Sequence, residues 1–191
     1  MVRRLLDAGR VAFQTRSYEA ARVDDIVDIA GASHGTFYLY FRNKEDLLHR
    51  LAIEASQELQ TLTAEMEALP SPPSLAAVTA WVEDFVDAYS RHGQVIRVWL
   101  DRRDIDPLMQ AMADDVLGPL AEALGCHVDP ATAEAIGAGV ASLSLLSLLE
   151  RFTSYLEASD SHLDRDLVVH TQARLLHGAM VAGSKRPAAR R

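Results

Sequence analysis

Apolar residues recur at spacings of three and four along most of the chain, and alternation with a period of two never lasts more than a few residues. Leu5, Leu6, Ala8, Val11, Ala12 and Phe13 predict an amphipathic helix from Val2 to about Arg16, closed by Ser17. Val23, Ile26, Val27 and Ala30 predict a second helix that stops at Gly31, a residue suited to the left-handed turn after a helix end. Ser33 can cap a third helix through Phe41. Asn43 can cap a fourth, with Glu45 and Asp46 in the first turn where the helix dipole favours acids, and that helix is expected to reach about Leu69.

The run Pro70-Ser-Pro-Pro-Ser74 is the clearest interruption, because proline cannot continue a helix and Ser74 is a good cap for the next one. Val78, Trp81, Val82, Phe85, Val86 and Tyr89 then predict a helix from Leu75 to His92 that Gly93 stops. A short helix is expected from Gln94 to about Arg103, another from Pro107 to Leu124, and two long ones at about Pro130 to Glu157 and His162 to Val181. Repeats of 20 to 50 residues and Gly/Pro hairpin signals are absent from the sequence. The expected fold is all-α, with about nine helices.

Composition changes this picture little. A chain of 191 residues with 49% hydrophobic and 24% charged positions has the make-up of a folded globular protein. The single cysteine, Cys126, cannot form an internal disulfide, and no basic-then-apolar leader opens the sequence, so a reducing cytoplasm is the expected compartment. The charge-free run Ala135 to Leu149 is shorter than the ~20 apolar residues a membrane helix needs, so it reads as a buried helix and no membrane is expected as a partner.

The net charge of −8 weighs against nucleic acid until it is divided along the chain. Residues 1–50 hold eight Lys and Arg against seven Asp and Glu, and the acidity belongs to the remainder. Within that near-neutral first part, two short helices flank a glycine turn over residues 22–41. Val23, Ile26, Val27, Ala30, Phe37 and Phe41 supply an apolar inner face. Ser33, His34, Gly35 and Thr36 make a narrow leading end, and Tyr38 and Tyr40 extend the polar face, as a helix entering a groove ~12 Å wide requires.

Taken together, Leu6-Asp7-Ala8, Phe13, Tyr18-Glu19-Ala20, Val23, Asp25-Ile26, Ala30-Gly31, Ser33, Gly35-Thr36-Phe37-Tyr38, Tyr40-Phe41, Lys44-Glu45 and Leu47 resemble the DNA-binding domain of the tetracycline-repressor family of bacterial transcriptional regulators. The resemblance is specific over about residues 3–50; beyond them it rests on helix pattern and length. It implies a helix-turn-helix domain at 1–48, a ligand-binding and dimerisation domain at 49–183 and a flexible basic tail at 184–191. It further implies that Ser33, His34, Gly35, Thr36, Tyr38 and Tyr40 lie on the DNA side, with His34 and Thr36 as readers of base edges. Tyr38, Lys44 and Arg22 become phosphate contacts. Arg22 stands where the family usually has Thr or Ser, and Leu39 where a longer polar or basic residue is frequent.

The same resemblance implies a homodimer on a palindromic double-stranded operator, released by a small hydrophobic effector. Trp81, Phe85, Tyr89, Trp99, Arg102, Met109, Met112, Phe152 and Tyr155 are the candidate pocket residues, and Arg97, Arg102 or Arg103 could meet an anionic head group. Ala135, Gly139, Ser142 and Leu146, with His170, Ala173 and His177 on the last helix, are the candidate interface.

Catalysis and metal binding find no such support. The seven histidines include no H-E-x-x-H, and C-x-x-C and Gly-rich phosphate loops are missing from the sequence, so no catalytic residue, metal ligand or cofactor is assigned. A helical adaptor that binds only protein is the competing class, with a helical hydrolase behind it. An adaptor would explain the acidic second part but not Ser33 to Phe41.

Overall fold

A computed structural model describes residues 1–102, 106–157 and 162–181; Arg103 and the tail 184–191 lie outside the described residues. Among these there are nine helices and no strand: α1 Val2–Arg16, α2 Val23–Ala30, α3 His34–Tyr40, α4 Lys44–Glu67, α5 Leu75–Arg102, α6 Pro107–Gly125, α7 Pro130–Ile136, α8 Ala138–Leu156 and α9 Arg165–Val181.

Two boundaries differ from those the sequence predicts. Gly93 does not end a helix, and α5 runs unbroken through it. A glycine inside a helix costs about 1 kcal/mol. Burying a single valine, isoleucine or aromatic side chain returns roughly 1.5–3 kcal/mol, and Val95, Ile96, Val98 and Trp99 are all buried beyond the glycine. Gly137 does break the chain: its φ of 85° is left-handed, and α7 and α8 meet there at 100°. The expected single helix from Pro130 to Glu157 is therefore two. Among the described residues, no single helix is long and apolar enough to cross a membrane, although α7 and α8 together pass by length and composition as a bent pair.

The chain forms two compact units. The first comprises residues 1–58 and 91–115. Its core contains Leu5, Phe13, Ile26, Phe37, Leu47 and Leu51, all inaccessible to solvent. Gly9 lets α1 approach α4 so closely that a methyl group there would press on Leu47. Trp99 is fully buried in the same unit, its indole N–H donating to the Met109 carbonyl at 2.7 Å.

Residues 59–90 and 116–191 make the second unit. Trp81 donates to the Leu62 carbonyl at 2.8 Å, and the rings of Trp81, Phe85 and Tyr89 stack in a file along α5 at centroid spacings of 5.6 and 6.3 Å. Gly125 lies directly against Ser142 of α8.

Candidate nucleic-acid interface

Residues 22–41 fold as their local chemistry requires. Gly31 adopts φ 58°, ψ 45°, and its N–H bonds back to α2. Ser33 Oγ then accepts the Thr36 amide at 3.1 Å and lies 2.9 Å from the Thr36 hydroxyl, capping α3. Asn43 Oδ1 accepts the Asp46 amide at 2.8 Å and starts α4. Arg22 lacks a capping hydroxyl, but the Asp25 carboxylate reaches back to the Arg22 amide at 2.8 Å and supplies the other half of a capping box.

Phe37 anchors α3, fully buried between an edge-on Tyr38 and a tilted Phe41. The remainder of the helix is turned outward. Ser33, His34, Gly35, Tyr38 and Tyr40 are exposed, with Thr36 partly so. A Cβ on Gly35 would meet only Ser33 Oγ, at 3.7 Å, so internal packing does not require the missing side chain. Leu39 is 80% exposed, a large apolar group that the fold leaves in water. In a major groove such a residue can meet a thymine methyl. Periodicity could not have singled it out, because Leu39 looks like one more core position.

Lys44 is placed differently from the expectation that it meets phosphate. Its Nζ donates to the carbonyls of Tyr18 at 2.5 Å and Ala21 at 2.9 Å, lies 3.4 Å from that of Glu19, and sits 4.3 Å from the Tyr18 ring centroid. The ammonium closes the loop between α1 and α2 from beneath. Burial, opposed by Glu19, pulls its pKa below the ordinary lysine value. A loop ending in three inward carbonyls needs such a donor.

Beside this clamp, Glu45, His49 and Asp106 bring three possible metal-ligand atoms within 4.8 Å of one another. Their partners are already present. Arg102 donates to Glu45 at 3.0 Å, and His49 Nε2 lies 2.7 Å from Asp106 Oδ2. Burial would raise the Asp106 pKa, but bonds from His49 and the Met109 and Leu108 amides hold it below the usual carboxylate value. With a cation on one carboxylate and an imidazole on the other, the cluster is an ion-paired joint of α4 with the facing ends of α5 and α6.

A second pairing was not legible in the sequence. His34 Nε2 lies 2.5 Å from Asp24 Oδ1, tying the first residue of α3 to the first turn of α2.

The remaining candidates divide by burial. Trp81, Phe85, Tyr89, Trp99, Met109 and Met112 are buried, whereas Phe152 and Tyr155 stand on the exposed side of α8 and line no interior. An open cleft of about 460 Å³ in the second unit is lined by Leu75, Thr79, Ala80, Glu83, His170 and Arg174, with Ala76. None of the expected pocket residues borders it. Among the interface candidates, Ala135, Gly139 and His170 are exposed, and Leu146 and His177 are partly so. Ser142 and Ala173 are corrections: Ser142 is buried against Gly125 and Ala173 is fully enclosed. The outward face carries Val140, Leu143, Leu167 and Leu175 instead.

Residues 5–51 match the family described as bacterial regulatory proteins, tetR family. An HTH-type transcriptional regulator of Bacillus subtilis, YdgC, is 34% identical over 64 residues, which is 34% of this chain and 33% of that protein. The match thus spans a third of that relative's length. Two solved structures share the fold. The fatty acid degradation regulator FadR of Bacillus halodurans superposes with a TM-score of 0.69 at 19% identity, covering 93% of this chain and 98% of that one. FadR of Bacillus subtilis in complex with stearoyl-CoA gives 0.66 at 16% identity, with 94% and 99% covered.

Proposed function

The chain belongs, through residues 5–51, to the tetR family of bacterial regulatory proteins, and on that premise we propose that it is a sequence-specific DNA-binding transcriptional regulator, a repressor released from a palindromic operator by a small hydrophobic effector. The observation that carries the reading is the outward face of α3. Ser33, His34, Gly35, Thr36, Tyr38 and Tyr40 surround a helix whose only buried residue is Phe37. A glycine that packing does not require and a bare leucine are explained together if a groove covers them. Arg22, exposed at the start of α2, is the phosphate contact of this reading, with Tyr38.

One short helix reads too few base pairs to find a site in a genome. Two copies on a two-fold axis read half-sites about one helical turn, ~34 Å, apart. Support for the dimer comes from the outward apolar residues Val140 and Leu143 of α8 and Leu167 and Leu175 of α9, with Ala135 and Gly139 small enough for close helix approach. The hydrophobic effector is supported by the aromatic file of α5 and by the stearoyl-CoA complex of the Bacillus subtilis relative. An effector acts by binding better to a conformation whose reading heads no longer fit the operator, and weakens DNA binding by that difference in affinity and no more. A chromosomal operator puts the site of action in the cytoplasm.

The test is to sequence genomic fragments retained by the purified protein, then titrate the recovered palindrome with salt and with acyl thioesters. Affinity is expected to fall steeply with salt, since phosphate neutralisation releases counterions. Binding indifferent to both DNA sequence and salt would favour the protein-binding adaptor.

A further inference from the structure

The pairing of Asp24 with His34 places an acid on the face assigned to DNA, where phosphate repulsion would be expected to exclude one. Both side chains are more than half exposed, so burial does not force them together. The Asp24 carboxylate oxygen, 2.5 Å from Nε2, occupies that side of the ring. Among the described residues no hydrogen bond is made to the other ring nitrogen, Nδ1. The ring therefore offers the groove one nitrogen rather than two, in an orientation fixed from α2.

We propose that Asp24 is a specificity-determining positioning residue: it takes Nε2 of His34 so that the imidazole reads a single base edge through Nδ1, while its own charge discourages docking on non-operator DNA. The inference rests on the reading of α3 as the recognition helix. Free histidine on a helix end can turn either nitrogen toward a base or a phosphate, which gives affinity with little choice of sequence. A carboxylate that occupies one nitrogen removes that ambiguity. It also repels any phosphate brought close by a misplaced duplex, so the contact discriminates by penalty as well as by attraction. Asp24 lies in the first turn of α2, where acids are favoured by the dipole, so its charge is tolerated by the fold itself.

The experiment measures affinity for the recovered operator, for operators changed at each base pair, and for random duplex, using Asp24→Asn, Asp24→Ala, His34→Ala and Asp24→Ala/His34→Ala. Thermal midpoints are recorded alongside. Asp24→Asn keeps the shape of the helix start and guards against loss of folding. Both Asp24 variants are expected to reduce the operator-to-random affinity ratio by about tenfold, within the range one base-edge contact supplies. The loss should fall on the same base pair per half-site that His34→Ala relaxes, and random-DNA affinity should hold or rise. In the His34→Ala background, Asp24→Ala should lose its base-pair-specific effect and keep at most the rise in random-DNA affinity. Equal loss on all DNA, or a full Asp24 effect without His34, would overturn the assignment while leaving DNA recognition by α3 intact. A wild-type protein that selected no fragment would instead remove the DNA reading, and this inference with it.

Discussion

Replacing Lys44 with methionine separates two roles for the same residue. Methionine keeps most of the side-chain length and apolar stem and deletes the ammonium. In the structure that ammonium donates to the Tyr18 and Ala21 carbonyls at 2.5 and 2.9 Å and rests on the Tyr18 ring. A hydrogen bond to a charged group is worth roughly 1.5–3 kcal/mol, and an exposed cation–π contact about 0.5–1 kcal/mol. Two bonds and the ring contact are opposed by the burial that lowers the lysine pKa, so a net loss of about 2 kcal/mol is expected. For a domain of this size that corresponds to a fall of roughly 4–8 °C in thermal midpoint. The assay pairs thermal unfolding with operator affinity over a series of salt concentrations. A clamp predicts lower stability with an unchanged salt slope. A phosphate contact predicts intact stability and a slope reduced by about one unit per contact in each half-site. Intact stability with a shallower slope would refute the clamp.

Two further outcomes test packing and charge. Gly125→Ala would drive a methyl into Ser142 Oγ and to 3.1 Å from its Cβ, so a loss of about 1–3 kcal/mol is expected by chemical denaturation, with most of it recovered in the double variant Gly125→Ala/Ser142→Gly. His92 is buried beside Glu58, and burial lowers its pKa more than Glu58 raises it, with Arg10 and Arg91 lowering it further. A histidine whose folded pKa is depressed binds its proton more readily when unfolded, so stability is full above about pH 6.5 and falls as pH drops toward the folded value. His92→Gln should flatten that limb of a stability-against-pH curve; an unchanged limb would exclude His92 as its source.

Local signals were the readable part of the sequence. Ser33, Asn43 and Ser74 cap the helices they were expected to cap, and Gly31 turns where it should. Each depends on a few neighbouring residues. Gly93 and Gly137 look alike in sequence yet behave oppositely: Gly93 is followed at once by buried Val95, Ile96, Val98 and Trp99, whereas α7 before Gly137 has no buried residue and residues 138–140 after it are exposed. Periodicity alone put Ser142 and Ala173 on the same footing as Gly139, although which way a helix turns is set by its neighbours. Within the reading face, residue types were legible and partnerships were not. Lys44 turning inward and Asp24 reaching His34 both depend on segments brought together by the fold.

The short helix α7 has a consequence for motion. It contains no buried residue, and it is held by the Asp129 cap at one end and by α8 beyond Gly137 at the other. Little apolar surface is lost when it opens. Its amides should therefore exchange with solvent at a small fraction of the global unfolding free energy, while those of neighbouring α8 around the buried Leu149 and Thr153 wait for far larger openings. Seven residues without a buried side chain should thus open more readily than α8, with the left-handed Gly137 as the boundary between the two.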